Sequence, residues 1–257
     1  MSRPFGQRLM QSLVHDRSKP GHWGPIQFIS RRRSEENYLA AAAFVRDRHV
    51  LDIGPGYGVG YEKLLEASPA SVTCIDSYPG AAEQFVHRAD RRVRFLVQDF
   101  LRNTLPDESI DTVLCLAAIY YFPDPLAFFA TVRRLLKPDG VLVINQFDRE
   151  VMRAWFGCEL RDLSHRYGPM HSPAEFTAVL RREFGGEPDR YVQSPVRNGS
   201  GLKFAFSTAS LPFRLMLMRP RVRRARGAET GVYNFFVVRK TNRANESGAA
   251  CFQNQVR

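Results

Sequence analysis

Gly54-Pro55-Gly56-Tyr57-Gly58-Val59-Gly60, the stretch GPGYGVG at residues 54–60, follows directly on the apolar run His49-Val50-Leu51-Asp52-Ile53. Alternate glycines are entropically costly unless the backbone needs positive φ or must lie against a ligand. Tyr61-Glu62-Lys63-Leu64-Leu65-Glu66 then shows the apolar spacing of an amphipathic helix, so the unit reads as strand, glycine loop, helix. A dinucleotide fingerprint would require GxGxxG. From Gly54 and Gly56 the third position falls on Val59, and from Gly56 and Gly58 it falls on Tyr61, so neither register fits. The pattern is instead Asp-x-Gly-x-Gly-x-Gly, with Asp52 two residues before the first glycine. An acidic loop repels phosphates, which points to a nucleoside ligand that carries none.

Outward from this unit the alternation continues. Ser71 to Ile75 reads as a second strand ending at Asp76, Pro79 to His87 as a helix, Val93 to Val97 as a third strand running into Gln98-Asp99-Phe100, and Asp111 to Leu116 as a fourth. Asp124-Pro125 supplies a capping carboxylate and a first-turn proline for a helix with body Leu126 to Leu136, closed by the turn Lys137-Pro138-Asp139-Gly140. Val141 to Ile144 makes a fifth strand. Ser172-Pro173-Ala174-Glu175 is a capping box opening a helix that ends at Gly185-Gly186, and Val232 to Val238 gives a last strand. This order predicts an α/β fold: a doubly wound, mainly parallel sheet with helices on both faces and ligands at the strand carboxyl ends. Asp76, at a strand end, suits a bidentate acceptor for two ribose hydroxyls, and Asp99 suits an acceptor for an exocyclic amine.

Val50 to Gly58, Asp76, Gln98-Asp99-Phe100, the strand Asp111 to Leu116 and Leu135 to Gly140 together resemble the class I S-adenosylmethionine-dependent methyltransferases over roughly residues 35–146. The resemblance implies a seven-stranded sheet whose last strand is antiparallel, with strands six and seven near 187–195 and 232–238. It implies S-adenosyl-L-methionine as cofactor. On that basis Gly54, Pro55, Gly56 and Gly58 serve its methionine part, Asp76 the ribose, Gln98, Asp99 and Phe100 the adenine, and the Leu116 carbonyl the methionine amine; Asp52 and Tyr38 count among the cofactor-binding residues. Tyr38 lies in Glu36 to Ala40, which is similar to the helix placed over the methionine carboxylate in many relatives. Where those often have a basic residue, this chain has Asn37. The activity implied is methyl transfer to an oxygen or nitrogen of a small-molecule acceptor. The alternatives are an RNA methyltransferase and a catalytically inactive nucleoside-binding scaffold. Acceptor contacts are expected at Ala117 to Tyr121 and between Gln146 and His171. Tyr121, His165 and His171 are the candidate catalytic residues, the histidines because they titrate near neutrality and could take a hydroxyl proton.

The chain of 257 residues is 44% hydrophobic, enough for one catalytic-sized unit. Cys74, Cys115, Cys158 and Cys251 form no CxxC pair, which argues against a disulfide framework or a metal site. Residues 1–24 lack an apolar signal region, so a soluble, cytoplasmic protein is expected. The net charge of +11 is uneven: residues 49–195 carry sixteen Lys/Arg against twenty Asp/Glu, while residues 196–257 carry twelve against two. The organisation expected is a basic N-terminal arm or lid at 1–34, a methyltransferase-like core at 35–195, a basic insertion at 196–231, a last core strand at 232–240 and a disordered tail at 241–257. In the insertion, Leu211 to Met218 and six arginines between 214 and 226 read first as a solvated, partly ordered hairpin; they could also grip an acidic acceptor, bind RNA or touch an anionic membrane surface. Nucleic acid is not favoured, since no RNA-binding module is recognisable and Pro212, Pro220 and Gly227 interrupt any long helix.

Overall fold

The computed structural model describes residues 24–85, 87, 89–156, 168–196, 221–227 and 229–241. The N-terminal arm before residue 24, His165, Cys158, Cys251, the apolar part of the insertion and the tail beyond residue 241 therefore lie outside the described residues. Eight strands form one sheet in the order β3-β2-β1-β4-β5-β8-β6-β7. They are β1 His49–Ile53, β2 Ser71–Asp76, β3 Val93–Val97, β4 Ile110–Leu116, β5 Leu136–Phe147, β6 Asp189–Val196, β7 Val222–Arg224 and β8 Thr230–Arg239. The five strands from β3 to β5 run parallel. β8 inserts antiparallel between β5 and β6.

The sheet thus has eight strands where seven were expected. The added strand comes from the insertion: Val222–Arg224 pairs antiparallel with Tyr191–Gln193 and covers the free edge of β6, whose backbone groups would otherwise stand unpaired. A second difference concerns Lys137-Pro138-Asp139-Gly140. The helix before it already ends at Leu135, Leu136 pairs with Ile110, and pairing resumes at Val141 opposite Thr112, so the expected turn is a bulge inside β5. Asp139 there has φ 61°.

The helices are α1 Gly24–Ala41, α2 Glu62–Glu66, α3 Pro79–Gln84, α4 Pro125–Leu135, α5 Arg149–Phe156 and α6 Pro173–Phe184. Their ends follow local chemistry. Asp124 accepts the Leu126 and Ala127 N–H groups at 2.9 and 3.0 Å. Ser172 and Glu175 close their reciprocal capping box, and Gly185 ends α6 at φ 75°. α3 stops three residues short of His87 because Phe85 turns away from the helix into the core, where it is fully buried. One face of the sheet packs against α4 and α6 through Phe128, Val132, Phe176 and Leu180. The other packs against α1, α2 and α5 through Tyr38, Ala41, Leu64 and Val151. Because the chain winds outward from β1 to β3 on one side and from β4 to β5 on the other, the switch point falls between β1 and β4. No helix among the described residues is long and apolar enough to cross a membrane.

Candidate functional site

A cavity of about 110 Å³ opens at that switch point. Its floor is Gly54 and Pro55 from the exit of β1 and Leu116 and Ala117 from the exit of β4; its roof is Arg33, Ser34, Asn37 and Tyr38 of α1. The glycines divide the labour. Gly56 has φ 58°, its N–H donates to Asp76 Oδ2 at 3.2 Å, and a Cβ there would meet no atom within 4 Å. Its positive φ therefore serves an open face that a ligand can approach. Gly58, at φ 74°, is different: a Cβ would lie 2.6 Å from the Phe85 ring, so this glycine is a packing position.

Asp52, on β1 two residues before Gly54, is 1% exposed. Tyr38 donates its hydroxyl to Oδ2 at 3.0 Å, while Oδ1 is buried without a hydrogen-bond partner among the described residues. Burial pushes this carboxyl up to about 7; the Tyr38 hydrogen bond opposes the rise and the nearby Asp76 charge adds to it. The neighbouring phenols and thiols are raised as well. Burial, then the Asp52 charge, lifts Tyr38 and Cys115, and burial followed by Cys74 lifts Tyr61. These groups stay neutral at physiological pH.

At the exit of β4, Ala117 adopts φ 60°, and its N–H donates to Asn145 Oδ1 at 2.5 Å. Beyond it the 3₁₀ turn Ile119–Tyr121 begins an aromatic wall. Tyr120 lies 4.9 Å from Tyr121 and 5.6 Å from Phe147, and Phe147 stacks 4.1 Å from Tyr233 between ring centroids. The Arg33 guanidinium closes this series 4.7 Å over the Tyr233 ring. Gly168 donates its N–H to the Tyr120 carbonyl at 2.9 Å, which brings the chain after α5 back over the β4 exit.

Asp76 is half-buried and accepts N–H groups from Gly56 and Tyr78 at 3.2 and 2.9 Å, so it shapes the loop it faces. Asp99 is exposed and caps the turn Phe100–Arg102 through the Leu101 N–H. Gln98 donates its backbone N–H to the Asp76 carbonyl, and its side-chain nitrogen is buried without a partner among the described residues. Phe100 is 3% exposed and packs edge-on against Phe122, so its ring belongs to the core. His171 sits beside the Phe176 ring, and its carbonyl accepts from Gln146 Nε2 at 3.0 Å. In the insertion, Arg223 pairs with Glu229 and Arg224 with Asp189.

Residues 51–144 match the family model described as a methyltransferase domain. A ubiquinone biosynthesis O-methyltransferase of Histophilus somni is 30% identical over 175 residues, which cover 60% of this chain and 71% of that protein. The chain belongs to the class I S-adenosylmethionine-dependent methyltransferases. A sterol 24-C-methyltransferase of Gibberella zeae is 27% identical over 130 residues, 46% of this chain, and the chain spans only about a third (34%) of that protein's length. Among solved structures, the methyltransferase in complex with the Haloferax volcanii Trm112 methyltransferase activator superposes with a TM-score of 0.62 at 18% identity, covering 84% of this chain and 92% of that one.

S-adenosylmethionine, the cofactor of this methyltransferase family, suits the residues present. The open face of Gly56 leaves room for a ligand against the backbone, and Asp52, whose Oδ1 has no partner among the described residues, is tied to the cavity through the Tyr38 hydroxyl. Sequence reasoning missed Arg33, Ser34 and Asn145; Ala117, expected among the acceptor contacts, lines the same cavity as Gly54 and Leu116. Arg33 stands one helical turn before Asn37 and lines the same cavity. The i,i+4 relation could have found it.

Proposed function

We propose that this chain transfers the methyl group of S-adenosylmethionine to an oxygen or nitrogen of a small-molecule acceptor. The observation that carries the reading is the cavity at the β1/β4 switch point, floored by the glycine loop and roofed by α1. When bound, the cofactor supplies both the electrophilic methyl group and its sulfur leaving group. The protein's part is positioning and exclusion of water. Gly54, Pro55 and Gly56 let the backbone lie against the methionine part. Arg33 and Asn37 face its carboxylate from the roof, and the Leu116 carbonyl accepts from its amine. Asp76 accepts from the ribose hydroxyls, and Asp99 with Gln98 frames the adenine.

The acceptor side of this reading is the part-exposed pair Tyr121 and Phe147, with Tyr120 and Tyr233 packed behind them in the core. An apolar or aromatic wall suits a largely uncharged small molecule better than an RNA backbone. The relatives named for sterol and ubiquinone biosynthesis support a small-molecule acceptor too. An acidic acceptor gains less support, because Arg223 and Arg224 already face carboxylates of the same chain. Tyr121 and His171 are the groups of this region that could hold or accept an acceptor proton.

Titration calorimetry with S-adenosylmethionine, S-adenosylhomocysteine and NAD tests the cofactor reading. Binding of the first two without the third is expected; tight NAD binding alone would sink it. Methyl-labelled cofactor offered with phenolic, amine and RNA acceptors then separates the acceptor classes.

A further inference from the structure

We propose that Asn145 is a positioning residue of this methyltransferase site, acting as a clamp on the left-handed turn at Ala117 that carries the β4 wall of the cofactor cavity. The inference rests on the cofactor reading above and deepens it. Asn145 pairs in register with Leu116 across β4 and β5, so its side chain lies on the same face as Leu116. It is wholly buried there. Its neighbours on that face are apolar: Val143 and Phe147 two residues away along β5, Leu116 on β4 and Phe235 on β8. An aliphatic residue would suit those neighbours better than an amide, so the amide needs a reason.

The reason lies at Ala117. L-residues other than glycine adopt a φ near +60° only under constraint, and Ala117 does so at φ 60° while lining the cavity. An N–H points at the asparagine, so the atom facing it is the carbonyl oxygen, at 2.5 Å. The other end of the amide, Nδ2, is buried without a hydrogen-bond partner among the described residues. The amide is thus oriented by Ala117, and Ala117 by the amide. Releasing that bond lets the backbone relax toward negative φ, which rotates the Leu116–Ala117 peptide away from the position it holds in the cavity wall.

The effect should be confined to the methionine end, since in the cofactor reading the adenosine part is served by Asp76 at the end of β2 and by Gln98 and Asp99 just after β3. Asn145→Ala is expected to weaken S-adenosylhomocysteine binding by about tenfold while leaving adenosine binding within about twofold, both read by calorimetry. Adding Ala117→Gly to Asn145→Ala should restore most of the lost affinity, because glycine holds positive φ without a clamp. Asn145→Leu removes the acceptor oxygen while suiting the apolar neighbours, so it should fold and show the same selective loss of S-adenosylhomocysteine binding, and it serves if the alanine variant fails to fold. Wild-type S-adenosylhomocysteine affinity in Asn145→Leu would overturn the clamp. So would equal loss of both ligands in Asn145→Ala, unchanged affinity for both, or no rescue by Ala117→Gly. Wild-type protein that bound neither ligand would instead overturn the cofactor reading itself.

Discussion

Replacing Asp52 with Asn should make the protein more stable, and increasingly so as pH rises. The carboxyl is 1% exposed and is pushed by burial from an ordinary 3.8 to about 7. The folded state therefore holds a proton that the unfolded chain releases, and through the window between those two values stability falls with rising pH. Below 3.8 the group carries no penalty; above about 7 it carries the whole of it. At about 1.4 kcal/mol per pH unit the full penalty is about 4 kcal/mol, of which about 3 kcal/mol accrues between about pH 5 and about pH 8. Asparagine keeps the oxygen that accepts the Tyr38 hydroxyl and removes the titration. For a chain of this size, the gap in melting temperature between Asp52→Asn and wild type should widen by roughly 6–12 °C over that pH interval. Thermal melts of both proteins across the interval measure it. A gap that stays constant with pH would refute the argument, since it would mean that Asp52 is ionised in the fold throughout.

Gly56→Ala and Gly58→Ala should separate ligand contact from packing. The first meets open space and should cost only about 1 kcal/mol of stability for its φ while weakening cofactor affinity markedly; the second drives a Cβ to 2.6 Å from the Phe85 ring and should cost about 2–4 kcal/mol, read by denaturant unfolding. Equal stabilities for the two would contradict the division. Asp76→Ala removes the acceptor for the Gly56 and Tyr78 N–H groups along with the proposed ribose contact, and should weaken cofactor binding by about 1–3 kcal/mol with a smaller loss of stability. A collapse in stability with normal affinity in the folded fraction would make Asp76 a loop cap only.

Much of this protein is written in local chemistry. Asp124-Pro125 and Ser172 to Glu175 fix helix starts because their carboxylate and hydroxyl groups satisfy the first free N–H groups of the very turn they precede. Gly54, Gly56 and Gly58 exclude the dinucleotide register by spacing alone, and the mainly parallel character of the sheet follows from alternation of strand and helix patterns. What needs one element to meet another in space is absent from that record. The insertion of β8 between β5 and β6 and the recruitment of Val222–Arg224 to the sheet edge depend on backbone pairings across long stretches of chain. The same holds for the arginines of the insertion, whose charge left a solvated hairpin and an external partner both open: the structure pairs Arg223 with Glu229 and Arg224 with Asp189.

Within the site the boundary runs between one residue and the next. Gly56 and Gly58 are indistinguishable as letters, yet one faces open space and the other the Phe85 ring. Phe100 is adjacent to an exposed Asp99 but turns into the core. Asn145 falls just past the strand expected at Val141 to Ile144, and only the register with Leu116 brings its oxygen to the Ala117 N–H. A sequence specifies which backbone conformations and faces are cheap, since propensity, capping and periodicity act within a few residues. Which side chains share a cavity is set by strand register and helix packing, and those are fixed only when the whole sheet has formed.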